Sequence, residues 1–137
     1  MSDFVKSLGL AASGLNAQAA RMRIIAENLA NADSTANAPG QDPYRRRIPT
    51  FESVFSKELG GQEVKVGKVV YDMSSFEPRY EPGHPAADAN GYVLYPNVDP
   101  LVEAMDMREA QRTYEANLNV VSSTRSMIGQ TIDILRR

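Results

Sequence analysis

The chain has 137 residues, of which 42% are hydrophobic and 23% are charged, and its net charge is −2. This length is typical of one domain, and the near-balanced charge argues against a general affinity for nucleic acid or an anionic membrane. The absence of cysteine excludes disulfides and thiolate chemistry. No apolar run reaches the roughly 18 residues of a membrane-spanning helix. The first residues lack the pattern of a cleaved secretory signal, so any export is expected to use another route.

The first thirty residues predict one long helix with a seven-residue apolar repeat, the pattern of a coiled coil. Its main row consists of Leu8, Leu15, Met22 and Leu29. Phe4, Ala11 and Ile25 form a second row, which Gln18 interrupts. Small residues crowd positions 11–20, which permits close approach of another helix, although small residues on an exposed face would give the same pattern.

Ser2 or Asp3 can cap this helix, and a string of turn-forming residues over 31–40 ends it. The chain then changes character, because six of its eight prolines lie between Pro43 and Pro96 and exclude long helices there. Alternating apolar residues predict a strand at 63–66 that continues through 68–72 after a bulge or kink at Gly67, and a second short strand at 92–95. Residues 48–55 predict a third short element. We expect 76–90, with three prolines, to be an extended loop.

The last segment predicts a second long helix, which opens with Asp99 as the cap and Pro100 as the first helical residue. Nearly forty residues of helix would extend about 55 Å. Its seven-residue row consists of Met107, Tyr114, Val121, Ile128 and Leu135, interleaved with Leu118 and Ile132. Gln111 and Arg125 fall at seam positions, where they either set the register as buried polar groups or remain in contact with water.

These elements predict a mainly α protein with a small β insert, in which the long N- and C-terminal helices pair as an antiparallel coiled coil. We divide the chain into a first core helix (1–36), a β-rich or extended insert built around a hairpin (37–97) and a second core helix (98–137). Two helices offer only about a dozen large seam side chains, so their pairing is marginal alone. We therefore expect the ends to be partly disordered in the isolated chain and to become helical on assembly.

No pattern in the sequence indicates catalysis or a cofactor. His84 is the only histidine, and no second histidine or cysteine stands at the spacing of a metal site. Glu77, Glu81 and Asp88 lie near it, but an enzyme built on these four residues is a remote alternative. We predict no catalytic residue, no metal and no cofactor.

Arg45, Arg46 and Arg47 form the one dense basic cluster. They can bind carboxylates on a neighbouring subunit, or they can form a solvated basic turn after the first helix. Three arginines without a wider basic context make nucleic acid a weak interpretation.

Three short motifs carry a resemblance to a known family. The first helix contains Ala12-Ser-Gly-Leu-Asn-Ala-Gln18 and Ile25-Ala-Glu-Asn-Leu-Ala-Asn31, and the second contains Tyr114-Glu-Ala-Asn-Leu118. These segments resemble the terminal signatures of bacterial flagellar rod and hook proteins. The motif residues are Ser13, Gly14, Leu15, Gln18, Ala26, Glu27, Asn28, Asn31, Tyr114, Ala116 and Asn117. Of these, we expect Asn28, Asn31, Tyr114 and Asn117 at inter-subunit or helix-end contacts.

The resemblance implies a non-enzymatic subunit of the proximal part of the flagellar basal-body rod. It implies that the paired helices line an export channel, that subunits stack helically and that the rod crosses the periplasm and transmits torque. The implied partners are other rod proteins, the rod-base adaptor protein, copies of the chain and the type III export apparatus, with no cleaved signal peptide, no nucleic acid and no small-molecule substrate. The alternative is a soluble helical-hairpin adaptor that binds partner helices in a finite complex.

Overall fold

The computed structural model describes residues 3–137, so the predicted cap at Ser2 lies outside the described part of the chain. Two long helices stand at the two ends of this part, and short strands lie between them. The elements are α1 Asp3–Ala30, β1 Arg47–Ile48, β2 Phe51–Ser56, β3 Gly61–Val66, β4 Val70–Tyr71, β5 Glu77–Tyr80, β6 Tyr92–Tyr95 and α2 Pro100–Leu135. The predictions of two terminal helices and a small β insert are confirmed.

Local polar contacts fix where the helices end and begin. The Asn31 Nδ2 donates to the Glu27 carbonyl at 2.9 Å, and the Ser34 hydroxyl donates to Asn31 Oδ1 at 3.0 Å, so polar groups close the last turn of α1. At the start of α2, the Leu101 N–H donates to Asp99 Oδ1 at 3.0 Å. Asp99 therefore caps α2 as predicted, and Pro100 occupies the first helical position, where a missing N–H costs nothing.

The strands form three separate antiparallel pairs, β1 with β4, β2 with β3 and β5 with β6. The expectation of an extended loop over 76–90 is wrong for residues 77–80, which form β5 and pair with β6 in the register Glu77 to Tyr95 and Tyr80 to Tyr92. Pro78 is tolerated because β5 has a neighbour on one side only, so the missing N–H breaks no second ladder.

The chain divides into two compact units, and each helix contributes to both. The first unit contains the residues up to Met22, Thr50–Lys68 and Arg108–Arg137. Its buried apolar residues are Ala11, Ala17, Ala20 and Ala110. The second unit contains Arg23–Pro49 and Val69–Met107, and it buries Ile24, Ile25, Val93 and Tyr95.

Neither α1 nor α2, as described over residues 3–137, combines the length and the apolar character that crossing a bilayer requires.

Candidate functional site

In the first unit, two contacts relate α1 to α2. A Cβ on Gly14 would lie 2.8 Å from Asn117 Nδ2, and the Arg21 guanidinium lies 3.6 Å from the Glu109 carboxylate. The residue number rises along α1 while it falls along α2, which is the order of an antiparallel pair. Gly14 permits the close approach that the small residues of this segment predict, since a side chain there would displace Asn117.

The best-buried stripe of α1 does not coincide with its leucine row. Ser13, Ala17 and Ala20 are buried, and Ile24 continues the stripe. The predicted row of Leu8, Leu15, Met22 and Leu29 is only partly covered. Leu15 and Ala17 are two residues apart, which places them on opposite sides of a helix with about 3.6 residues per turn. The larger apolar row of α1 is therefore left partly open to solvent.

The polar residue that interrupts the second row of α1 is partly covered. Gln18 Oε1 is buried and has no hydrogen-bond partner among residues 3–137. In α2, by contrast, Gln111 and Arg125 are exposed, which favours the alternative that those two positions remain wet.

In α2 the best-covered row recurs at intervals of seven, at Glu103, Ala110, Asn117 and Thr124. The predicted row of Met107, Tyr114, Val121 and Ile128 lies beside it and is partly covered. The remaining predicted packing residues are exposed, Leu118 at 44%, Ile132 at 45% and Leu135 at 80%. The period of seven is thus present in the burial, but the residues of the covered row are smaller or more polar than the sequence predicts.

The β2–β3 hairpin turns an apolar face to solvent. The register pairs Phe51 with Val66, Ser53 with Val64 and Phe55 with Gln62, which sets Phe51, Phe55, Val64 and Val66 on one face. All four are exposed, and Phe55 is exposed at 59%. The hairpin contacts α1 at the start and along the backbone of β3, where a Cβ on Gly61 would lie 2.9 Å from Leu10 and the Val64 N–H donates to the Ser13 hydroxyl at 3.3 Å.

More large apolar side chains are exposed than buried in the described chain. Among its buried hydrophobic residues, only Ile24, Ile25, Val93 and Tyr95 are larger than alanine. The exposed set includes the hairpin face, the start of α2 and the last turns of α2. Apolar surface of this extent marks sites of protein–protein contact.

In the second unit, the side chain of Asn28 holds the strand that follows α1. Its Nδ2 donates to the Arg47 carbonyl at 2.9 Å, and its Oδ1 accepts the Arg47 N–H at 3.0 Å and the Tyr44 hydroxyl at 2.8 Å. Asn28 is 1% exposed, so it satisfies backbone groups that water cannot reach. This motif residue makes its described contacts within the chain.

Arg46 is the centre of an ion-pair network that joins the insert to α2. Its Nε donates to the Glu103 carboxylate, and its terminal nitrogens lie 3.4 Å from Asp72 Oδ2 and 3.8 Å from Asp106 Oδ2. Its backbone N–H donates to Asn97 Oδ1 at 2.8 Å. The Glu103 side chain is 1% exposed, so Arg46 neutralises a carboxylate that lies inside the unit.

The other two arginines also have partners inside the unit. The Arg45 guanidinium donates to the Asp72 carbonyl at 2.8 Å and lies 4.2 Å from the centre of the Phe76 ring. Arg47 pairs with Glu27 at 3.1 Å, and both of these side chains remain about two-fifths exposed. A contact between the cluster and a neighbouring subunit therefore stays a prediction, best suited to Arg47.

Burial and these contacts shift three pKa values from their ordinary values. The Ser74 N–H, which donates to Asp72 Oδ1 at 2.9 Å, holds the pKa of that carboxyl below its ordinary value, and Arg46 adds to the effect. Burial lowers the pKa of Arg46, but the Glu103 carboxylate more than reverses this and leaves it raised. Burial raises the pKa of the Tyr44 hydroxyl.

The four residues of the remote enzymatic alternative each have a partner within the second unit. His84 Nε2 lies 3.2 Å from the Thr35 hydroxyl, and Glu81 accepts the Tyr95 hydroxyl at 2.7 Å. Asp88 accepts the N–H groups of the turn before β6, and Glu77 pairs with Arg79 at 3.7 Å. No group of side chains within residues 3–137 has the composition and spacing of a metal site.

Two family models match the chain, and each matched range includes most of one of the two long helices. A family model described as "Flagella basal body rod protein" matches residues 8–38, and one described as "Flagellar basal body rod FlgEFG protein C-terminal" matches residues 89–134. The first range includes the motif residues of α1, and the second includes those of α2.

Individual relatives match over most of their length. The chain is 50% identical to the flagellar basal-body rod protein FlgC of Agrobacterium fabrum, over 93% of this chain and 91% of that protein. It is 40% identical to FlgC of Salmonella typhimurium over 91% of this chain and 92% of the relative, and 37% identical to FlgC of Bacillus subtilis over 93% and 95%.

Proposed function

The chain belongs to the FlgC family of flagellar basal-body rod proteins, and from this premise we propose how it works as a structural subunit of the rod. It is not an enzyme, in keeping with relatives that are structural rod proteins. Its place is the proximal rod, where α1 and α2 form an antiparallel coiled coil that lines the export channel. Copies of the chain stack with other rod proteins into a helix that crosses the periplasm and transmits torque.

The observation that carries this proposal is the distribution of apolar surface. A chain that buries few side chains larger than alanine, and exposes apolar residues on its hairpin and at both ends of α2, requires neighbours. The order of the contacts Gly14–Asn117 and Arg21–Glu109 supports the antiparallel pairing.

We assign different structural roles to the terminal helices and to the insert. Residues 1–36 and 98–137 form the inner rod domain, and 37–97 form the insert. The partly covered and exposed apolar residues of the two helices provide the packing surface for neighbours. They are Leu8, Leu15, Met22, Leu29, Tyr114, Leu118, Val121, Ile128, Ile132 and Leu135. The family motif has an internal part as well, since Asn28 fastens the insert to α1.

Delivery and neighbours complete the proposal. The chain is exported by the flagellar type III apparatus without a cleaved signal peptide, and it contacts other rod proteins and the rod-base adaptor protein. An adaptor in a finite complex would have a fixed stoichiometry, whereas a rod subunit makes contacts that repeat along an open stack.

A single charge in the leucine row of α1 tests the proposal. Leu15→Asp places a carboxylate in the partly covered leucine row, on the side of α1 opposite the buried stripe, so packing this row against a neighbour would bury an unpaired charge. We expect lost motility in a deletion strain complemented with this variant, and loss of the chain from purified basal bodies. The control is Asn16→Asp, which adds the same charge at the next, exposed position. Normal swimming of the Leu15→Asp strain would refute the proposal.

A further inference from the structure

A small acidic pocket lies at the start of α2 in the second unit. Its volume is about 180 Å³, and it is lined by Arg46, Asp72, Asn97, Asp99, Val102 and Glu103. Asp106 lies next to it, 3.8 Å from Arg46. One guanidinium thus faces four carboxylates, so the pocket carries a negative potential that attracts cationic groups.

One carboxylate of this pocket lacks a partner. Glu103 Oε1 accepts the Arg46 Nε–H, but Glu103 Oε2 is buried and has no hydrogen-bond partner among residues 3–137. The side chain is 1% exposed. Buried carboxylate oxygens are normally hydrogen-bonded, so this atom indicates a donor that the single chain does not supply.

Val102, which lines the pocket, belongs to an exposed apolar segment at the start of α2. Leu101, Val102 and Met105 occupy the first turns of α2 and are 70%, 46% and 62% exposed. A partner that covers them needs apolar side chains directly beside its cations.

The last turn of α2 has this composition. Ile134 and Leu135 are 68% and 80% exposed, and Arg136 and Arg137 follow them. These are the only adjacent basic residues in the sequence outside 45–47. In the part of the chain that the structure describes, neither guanidinium has an ion pair or a hydrogen bond.

We propose that Ile134–Arg137 of one copy docks at the acidic pocket of a second copy. An arginine of this segment approaches Glu103 and its neighbouring carboxylates, while Ile134 and Leu135 cover Leu101, Val102 and Met105. Arginine suits the site because its planar fork binds carboxylate oxygens in pairs. Residue 103 lies in the first turn of α2 and Arg136 follows its last residue, so the length of this helix prevents a copy from satisfying its own pocket.

The contact is heterologous, because two different surfaces meet and each copy keeps one of each free. Such contacts generate open stacks rather than closed dimers. The inference rests on the proposed function in one respect, namely that copies of this chain are neighbours in the rod.

Engineered disulfides test the contact, since the chain has no cysteine of its own. Val102→Cys and Leu135→Cys are introduced together, and basal bodies containing the variant are oxidised and separated on a denaturing gel. We expect a ladder of linked oligomers from the double variant and monomers from each single variant. The control pair is Val102→Cys with Phe55→Cys, whose second position is also exposed.

Monomers from the double variant in rods that contain it, or an equal ladder from the control pair, would overturn the contact while leaving the rod function intact. Absence of the unmodified chain from basal bodies would instead refute the proposed function.

Charge variants give a second measurement if the cysteines prevent incorporation. We expect Arg136→Glu with Arg137→Glu to lower the amount of chain in basal bodies by roughly tenfold, and Arg136→Lys with Arg137→Lys to retain most of it. The exposed pair Arg108→Glu and Arg112→Glu, on the same helix, is the control. Wild-type incorporation of the Arg136→Glu/Arg137→Glu chain would overturn the proposal.

Discussion

The region around Asn28 and Arg46 and the last turns of α2 differ in the polarity, the burial and the pairing of their side chains. Around Asn28 the side chains are polar and at least partly covered, and Asn28 itself pairs with the Tyr44 hydroxyl and the Arg47 backbone. Along the last turns of α2 they are apolar and exposed, as Ile134 and Leu135 illustrate. The first region stabilises the chain by contacts within itself, while the second gains its stabilisation only when a neighbour covers it.

Arg46→Ala should have the largest effect on the isolated chain. It leaves Glu103 as a buried carboxylate without its cation, which costs about 3–5 kcal/mol. Urea unfolding measures the change in the free energy of unfolding. Arg47→Ala is the control, because its pair with Glu27 is two-fifths exposed and contributes less than about 1 kcal/mol. Equal losses for both variants would mean that burial does not distinguish the two arginines.

Asn28→Ala should rank second. It removes the donor to the Arg47 carbonyl and the acceptor for the Arg47 N–H and the Tyr44 hydroxyl, which costs about 2–3 kcal/mol in the same unfolding assay. Asn31→Ala, at the partly exposed end of α1, should cost less than about 1 kcal/mol. A loss below that of Asn31→Ala would contradict the assignment of Asn28 as the residue that fastens the insert.

The sequence predicts the region of exposed helix ends better than the region around Arg46. Helix limits follow from local signals, such as Asp99 before Pro100, and these signals are confirmed. The motif also points to Asn28 as an important residue. Its partner Tyr44, however, depends on how the insert folds back, and no local pattern encodes that distance.

Glu103 is a second residue whose role cannot be predicted from local sequence patterns. In the sequence it reads as an acidic residue in the first turn of a helix, where it complements the helix dipole. Only the tertiary structure buries it and pairs it with Arg46. The one available signal is its position, seven residues before the buried Ala110.

Acid should lower the free energy of unfolding by less than Arg46→Ala or Asn28→Ala does. The pKa of Asp72 is lower in the folded chain than in the unfolded chain, so the folded chain binds fewer protons. The stability from this carboxylate is complete above its unfolded pKa of about 3.9 and is lost as the pH falls through the lower folded value. We expect Asp72→Asn to flatten the dependence of the unfolding free energy on pH below about 4. An unchanged slope would argue against this role.

Leu135→Ser should have the smallest effect on the isolated chain, within about 0.5 kcal/mol, because the side chain is 80% exposed. Its effect on assembly should be large, since the same side chain is to be covered by a neighbour. Sedimentation of basal bodies from a complemented strain measures the amount of incorporated chain. Full incorporation of Leu135→Ser would contradict the claim that a neighbour covers the last turns of α2.

Hydrogen exchange tests the central contrast most directly, by comparing the chain free in dilute solution with the chain in purified basal bodies. We expect amides of 51–66 and 118–135 to exchange quickly in the free chain and at least about tenfold more slowly in the rod. Amides of Tyr44–Arg47 should be protected in both. Equal protection of 118–135 in the free and assembled chain would contradict the account, because those turns would then not depend on neighbours.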